Sequence, residues 1–423
     1  MILRKFQINE DLKMSGNRSP AHLDETFGER GKVTIHIPGP NSGLSRIQGL
    51  VTDSKDRTLL VSSTADNFVL GRIAADGTTD ESYANHGFVL DKFANEGKSS
   101  GLSIRLLEDE SILLHGSHQN DGQAMAALAC FNNHGNYKTE FGKSGKIVIP
   151  LPVSPATSSL PAPSSEGGHS SSAPIVFPDG KILFIHNNYL IQILSSGQPD
   201  NDFNNGKPYI DIRHPDYPAN IYKIIKVSDN LIGVAGNANV DNRWVGLVAM
   251  YTAAGEQVRN FADNGYLLLK HLNFPNNIVS IAKSNSGTLL IAGQKMGFPN
   301  KGYITSVTHS GDIAQDFNEG KPVLTPNDES RSLSWHDSLI DQQGRIIATG
   351  NSMESGTAPS YLPLARILQN GKPDLSFNKE GLFTLDDVQL SEAIAIDSQE
   401  RLLVGAIIKV NSELKPVLMR ILA

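Results

Sequence analysis

A glycine-flanked motif returns about every sixty residues along almost the whole chain, and that recurrence limits what the chain can fold into. Its fullest copy spans residues 371–381, with Gly371, Asp374, Phe377 and Gly381 as markers. Further copies run Gly77, Asp80, Tyr83, Gly87; Gly135, Phe141, Gly145; Gly197, Asp200, Phe203, Gly206; Gly255, Phe261, Gly265; and Gly311, Phe317, Gly320. A copy without its first glycine sits near the start, at Asp24, Phe27 and Gly31. The aromatic positions 27, 83, 141, 203, 261, 317 and 377 are separated by 56, 58, 62, 58, 56 and 60 residues. Such a period belongs to one closed array of similar units rather than to several unrelated domains.

Short apolar runs of strand length precede each motif, separated by turn residues. In the sixth unit they are 338–341, 345–350 and 362–368, with 382–385 following the motif. The pattern recurs at 59–61 and 69–73, at 182–184 and 191–194, and at 289–292 and 303–307. No unit offers ten or more residues of helical periodicity. Four antiparallel strands per unit, repeated radially, make a propeller blade, which needs a neighbour on each side to bury both faces. The last unit supplies 393–396, 402–406 and 417–421 and then the chain stops; residues 24–27 and 31–37 supply the missing motif and outer strand. The expectation is an all-β, seven-bladed propeller over residues 21–423, closed by the N-terminal strand, with residues 1–20 as a tail.

The formal charge of −7 and a pI near 5.9 disfavour nucleic acid or an anionic membrane as main partner, since both select basic patches. One cysteine, Cys130, allows no intrachain disulfide and suits a reducing compartment. Residues 1–20 hold no apolar run of signal-peptide or membrane-span length. A cytoplasmic monomer is the resulting expectation, with export by a dedicated secretion machine left open.

The motif reads as mechanical. Its first glycine suits a positive-φ turn, its Asp can cap backbone amides, and its aromatic ring can pack between blades. A ring of acidic ligands is the competing reading. It is disfavoured because the Asp position is Lys138, Val258 and Ala314 in three units, whereas the aromatic is present in all seven. Cys130 falls where other units place Arg72, Arg366 or Arg420, which makes it a blade residue rather than a nucleophile.

The sequence of a strand ending Leu364-Ala365-Arg366-Ile367, then 370–377, a glycine and an outer strand resembles the bacterial delta-60 repeat family. That resemblance covers residues 21–423, with departures in units two, four and five. It implies propeller blades and no shared activity or catalytic residues.

The loops from each outer strand to the next inner strand vary most and lie on the face opposite the motifs, where binding loops belong. The widest, 152–172, is rich in Ser, Pro and Gly and reads as a flexible insertion. Others carry His214, Asp216 and Tyr217; His271, Asn273, Phe274 and Asn276; Asp328 and Arg331; and Asp386 and Asp387. Trp335-His336-Asp337, with Glu392 and Arg46, is the densest group. An indole beside an imidazole and a carboxylate can stack on and hydrogen-bond a sugar; the competing reading is that Trp335 fills space and His336 is a satisfied polar residue. His115 and His118, three apart in a strand, point to opposite faces and do not read as a metal pair. Residues 142–146 lack the setting of a phosphate loop, and no hydrolase elbow, zinc helix or calcium loop occurs. No cofactor or metal is expected. Binding of a protein or glycan through the loop-rich face is the first expectation. A hydrolase or lyase at the channel mouth, using His336, Asp337, Glu392 and Arg46, is the alternative.

Overall fold

The computed structural model describes residues 20–38, 46–152, 172–325, 331–354 and 360–423. Apart from Pro20, the N-terminal tail lies outside the described residues, as do 153–171 of the insertion and Asp328.

Seven antiparallel sheets follow one another along the chain. Blades 1 to 6 are four-stranded meanders whose first strands are Gly49–Thr52, Lys98–Leu106, Ile175–Val176, Ala219–Ser228, Asn276–Lys283 and Arg331–Ile340. Blade 7 takes Val388–Ile396, Leu402–Val410 and Glu413–Leu422 from the C-terminal end. Its outer edge is covered by Lys32–Thr34, in register with Val417 to Met419, and by His22–Leu23 against Leu422 and Ile421. The first and last described strands therefore meet in one sheet, and that sheet's exposed edge is paired. Among the described residues no helix is long and apolar enough to cross a membrane.

Blades pack face to face, and each of the seven seams between neighbours holds its own apolar core. The recurring aromatic is what each seam shares. Phe27, Tyr83, Phe141, Phe203, Phe261, Phe317 and Phe377 lie in seven different cores, all at most 3% exposed. The residue after each of the first six aromatics takes a positive φ, from 42° at Ala262 to 57° at Gly142. This bend aims its amide at the next blade. Gly28 N donates to Asp76 O, Ala84 N to His134 O, Gly142 N to Ser196 O, Asn204 N to Ala254 O, Ala262 N to Ser310 O, and Asn318 N to Asn370 O, at 2.7–3.4 Å. Each acceptor precedes the first glycine of the next motif, and a Cβ on Gly77 would come within 2.4 Å of the Gly28 amide. At the seventh seam, between blades 6 and 7, Ala21 N donates to Phe377 O at 2.8 Å.

The motif Asp serves two ends. One oxygen caps the amide two residues on, as Asp374 Oδ1 does for Ser376 N at 3.0 Å. The other accepts from an arginine on the third strand: Arg366 to Asp374, Arg72 to Asp80 and Arg420 to Asp24, each at 2.8 Å. Those guanidinium groups lie 4.3–4.7 Å from the centroids of Phe377, Tyr83 and Phe27. Burial pushes the Asp374 carboxyl up, but the Ser376 hydroxyl and the Arg366 charge outweigh it and hold it below the usual range. Where the arginine is Cys130, Met250 or Ser306, the Asp is Lys138, Val258 or Ala314. Charge and partner are thus lost together, as a buried ion pair requires. In blade 3 Gln192 replaces the arginine, and Lys181 takes Asp200 at 2.8 Å instead.

Truncating a seam aromatic leaves a cavity no neighbour can fill. Phe377→Ala is expected to lower unfolding free energy by about 3–5 kcal/mol in urea titrations. Leu375→Ala, two residues away and 74% exposed, is expected to change it by less than about 0.5 kcal/mol. Equal effects would remove the aromatic from its place in the seam.

Candidate central-channel site

The inner strands of blades 2, 4, 5, 6 and 7 share one irregularity: a bulge that inserts an extra residue, at Leu102, Tyr222, Val279, His336 and Glu392. A glycine on the second strand makes room for it in four of them. A Cβ on Gly116, Gly236, Gly293 or Gly350 would lie 1.8–2.2 Å from an inner-strand carbonyl oxygen. Bulges re-aim side chains, and here they split them into two sets. Polar bulge residues cross to the next blade: Tyr222 Oη donates to Ile278 O, and His336 Nδ1 donates to Ser391 O at 2.6 Å. The residue after the bulge faces the axis, as with Ser103, Lys223, Ser280 and Asp337.

All seven inner strands or their leading segments line one cavity of about 400 Å³ on that axis. Serines and Gln48 form much of its polar wall. Its charged lining consists of Arg105 from blade 2, Lys223 and Lys226 from blade 4, and Asp337 from blade 6. Lys226 Nζ is tied to Asp229 at 2.7 Å. Arg105 is open to the lumen, whereas Lys223 is 4% exposed. Asp337 accepts from the amides of Ser338 at 2.9 Å and Ile394 at 3.3 Å. Burial pushes the Lys223 amine below its ordinary pKa, with Asp337 opposing. Burial likewise pushes the Asp337 carboxyl up, with Lys223 and the two amides opposing. The two groups sit two blades apart and feel one another across the lumen.

Trp335, His336 and Asp337 were expected on a loop, and so was Glu392; all four lie within inner strands, because the bulge breaks the alternation that marks a strand. Trp335 is fully buried in the blade 5–6 seam, against Gly302, where a Cβ would meet its Nε1 at 2.3 Å. His336 is 5% exposed and points across to blade 7. Glu392 Oε1 accepts from Arg46 Nη1 at 2.9 Å, while its Oε2 is buried with no hydrogen-bond partner. The structure thus joins Arg46 to Glu392 and sends Asp337 alone of the group into the channel. Tyr217 lies elsewhere on the loop face: the His214 ring sits 5.0 Å from both Tyr217 and Tyr266, and Lys270 Nζ is 5.1 Å from the Tyr217 centroid. His271 is half-buried beside this patch, and Asn273, in the left-handed conformation at φ 56°, ends the helical turn that carries it.

Arg105 and Lys223 escape a reading of the sequence by loops. The signal for Lys223 was a cation inside a strand run, at the post-bulge register that Asp337 occupies in blade 6; Arg105 lies two residues beyond that register in blade 2.

The described chain is a seven-bladed, four-stranded β-propeller with a polar axial cavity. No family model and no curated protein matches it by sequence. Among solved structures it is similar to a catalytically inactive virginiamycin B lyase from Staphylococcus aureus, crystallised with quinupristin, at 12% identity and a TM-score of 0.49 over 92% of this chain and 98% of that one. A protein of unknown function from Dyadobacter fermentans matches at 9% and 0.47, over 95% and 98%. The PQQ-bound aldose sugar dehydrogenase of Streptomyces coelicolor matches at 10% and 0.38, over 92% and 98%. At such identities and scores no substrate or chemistry carries over.

Burial pushes the Glu392 carboxyl up from 4.5 to about 7, against the pull of Arg46. The folded chain then keeps a proton that the unfolded chain gives up above pH 4.5, so this group's contribution to stability falls as pH climbs from about 4.5 to about 7. Glu392→Gln cannot ionise, and its stability relative to the parent is expected to rise between pH 5 and pH 8 in urea midpoints. A difference that stays flat across that range would contradict the assignment.

Proposed function

We propose that this chain is a binding propeller whose central channel holds a small organic anion, a carboxylate or a phosphate ester. The observation that supports this reading is the charge of the lumen. Arg105 and Lys223 line the cavity with Asp337, and Lys226 is held by Asp229, among serine hydroxyls suited to oxyanions. The sequence resemblance to the delta-60 repeat family fits the same reading and adds no chemistry to it. On the loop face, the tilted cluster of Tyr217, His214 and Tyr266 with Lys270 offers a sugar aromatic surface, which favours a glycan over a protein as the macromolecular partner.

Enzymatic turnover is the second reading, and its motive lies in the channel. Lys223 and Asp337 are both displaced toward their uncharged forms and line one cavity, as groups that exchange protons with a substrate do. A hydrolase or lyase built this way loses turnover in Asp337→Asn while still binding its substrate.

Titration calorimetry against a panel of small carboxylates and phosphate esters separates these readings from none. Saturable binding is expected, weakened by about tenfold or more in Arg105→Gln, whose lumen-exposed side chain leaves the fold untouched. A panel with no binding, or affinity indifferent to Arg105, would remove the channel from consideration.

A further inference from the structure

The axial cavity brings together an amine, a carboxylate and a guanidinium from three different blades. Lys223 and Asp337 each follow the bulge on their inner strand, so both side chains enter the lumen at one level. Arg105 stands on blade 2, two residues past that register, which at about 3.4 Å per residue sets its Cα about 7 Å further along the axis. The long arginine side chain spans much of that offset. Its guanidinium and the Lys223 amine can therefore address neighbouring parts of one small ligand. Ile104, Ile175, Ile281 and Ile394 supply apolar wall around them, and Lys223 itself is 4% exposed.

A lysine amine is a nucleophile only without its proton, and a water-poor site favours that form. Burial pushes the Lys223 amine below its ordinary pKa and the Asp337 carboxyl above its own, which displaces the proton from nitrogen toward the carboxyl. An amine whose task is only to hold an anion gains nothing from losing its charge. A neutral amine facing a protonated carboxyl is instead the pairing that condenses with a carbonyl group, one attacking carbon and the other protonating oxygen. Arg105 then has the geometry to hold a carboxylate on the same ligand.

We propose that Lys223 forms a covalent imine with an oxo acid, a ligand that carries an aldehyde or ketone carbon and a carboxylate, the carboxylate being held by Arg105. This inference rests on the anion-binding reading of the channel and names the class of anion. Lys223 Nζ attacks the carbonyl carbon, and the π pair moves onto oxygen, which takes the proton of Asp337 and gives a carbinolamine. Asp337 takes a proton back from nitrogen and passes it to the hydroxyl, which leaves as water as the nitrogen lone pair closes the C–N double bond. One water is released, and nothing is oxidised or reduced. The product is a cationic iminium facing the Asp337 carboxylate across the lumen.

Trapping of the full chain with sodium cyanoborohydride, which reduces an iminium to a stable amine, is the test. The probes are pyruvate, whose ketone adjoins its carboxylate, and 4-oxopentanoate, whose two groups are separated by two methylenes; lactate, with a hydroxyl in place of the carbonyl, reports the anion site alone by calorimetry. One adduct per chain is expected with at least one oxo acid, mapped to Lys223 by peptide mass spectrometry. It is expected to disappear in Lys223→Met and to form about tenfold or more slowly in Asp337→Asn. In Arg105→Gln the oxo-acid concentration for half-trapping is expected to rise by about tenfold. If Lys223→Met fails to fold, the position of the adduct in the parent protein decides. Lactate bound with no adduct, or with adducts spread over Lys226 and exposed lysines, would overturn the imine and leave the anion site standing. No adduct and no lactate binding would remove both.

Discussion

The hand-over at each seam is what the rest of the molecule depends on. An aromatic ring enters the gap between two blades, and at six of the seven seams the next residue bends into the left-handed region and its amide reaches the neighbouring motif. A blade alone cannot bury either of its faces, so the stability of any strand depends on the seams on both sides of its blade. Regular spacing of blades around the axis follows, and with it the convergence of seven inner strands on one lumen. The positions of Arg105, Lys223 and Asp337 are fixed by packing far from them.

Electrostatics is subordinate to that packing. The arginine and aspartate behind three of the rings are held by short bonds and by the ring faces, yet other blades dispense with them as a pair and keep the aromatic. Blade 4 replaces the ion pair with Met250 and Val258, an apolar exchange that avoids the desolvation of two charges. The motif acid is thus an option of the scaffold, whereas the ring is a requirement, which explains why the acids never line up as a site.

Blade number, strand order and the closing role of residues 22–34 were legible in the sequence because they rest on periodic signals: a ring every sixty residues and apolar runs between turn glycines. The lumen was less legible. A bulge shifts the alternation by one residue, so Trp335, His336 and Asp337 read as loop although they sit in mid-strand, and neighbours in sequence part company: Trp335 into a seam, His336 across to blade 7, Asp337 to the axis. Lys223 was hidden for the same reason. Only the pairing across the sheet, with Gly236 and Gly350 at equivalent places, shows that Lys223 and Asp337 occupy one register. Side-chain direction at a bulge is a property of two strands, and one strand's sequence does not contain it.

Six of the seven seams pass their motif hydrogen bond in the same rotational sense, from one blade's amide to the next blade's carbonyl; at the blade 6–7 seam Ala21 donates back to Phe377 and the sense is reversed. The ring is therefore polar around its circumference and has a single clasp, like a belt whose links all hook one way except at the buckle. Asp337 on blade 6 and Glu392 on blade 7 flank that seam, so the one reversed link and the two inner-strand carboxylates fall on the same side of the ring.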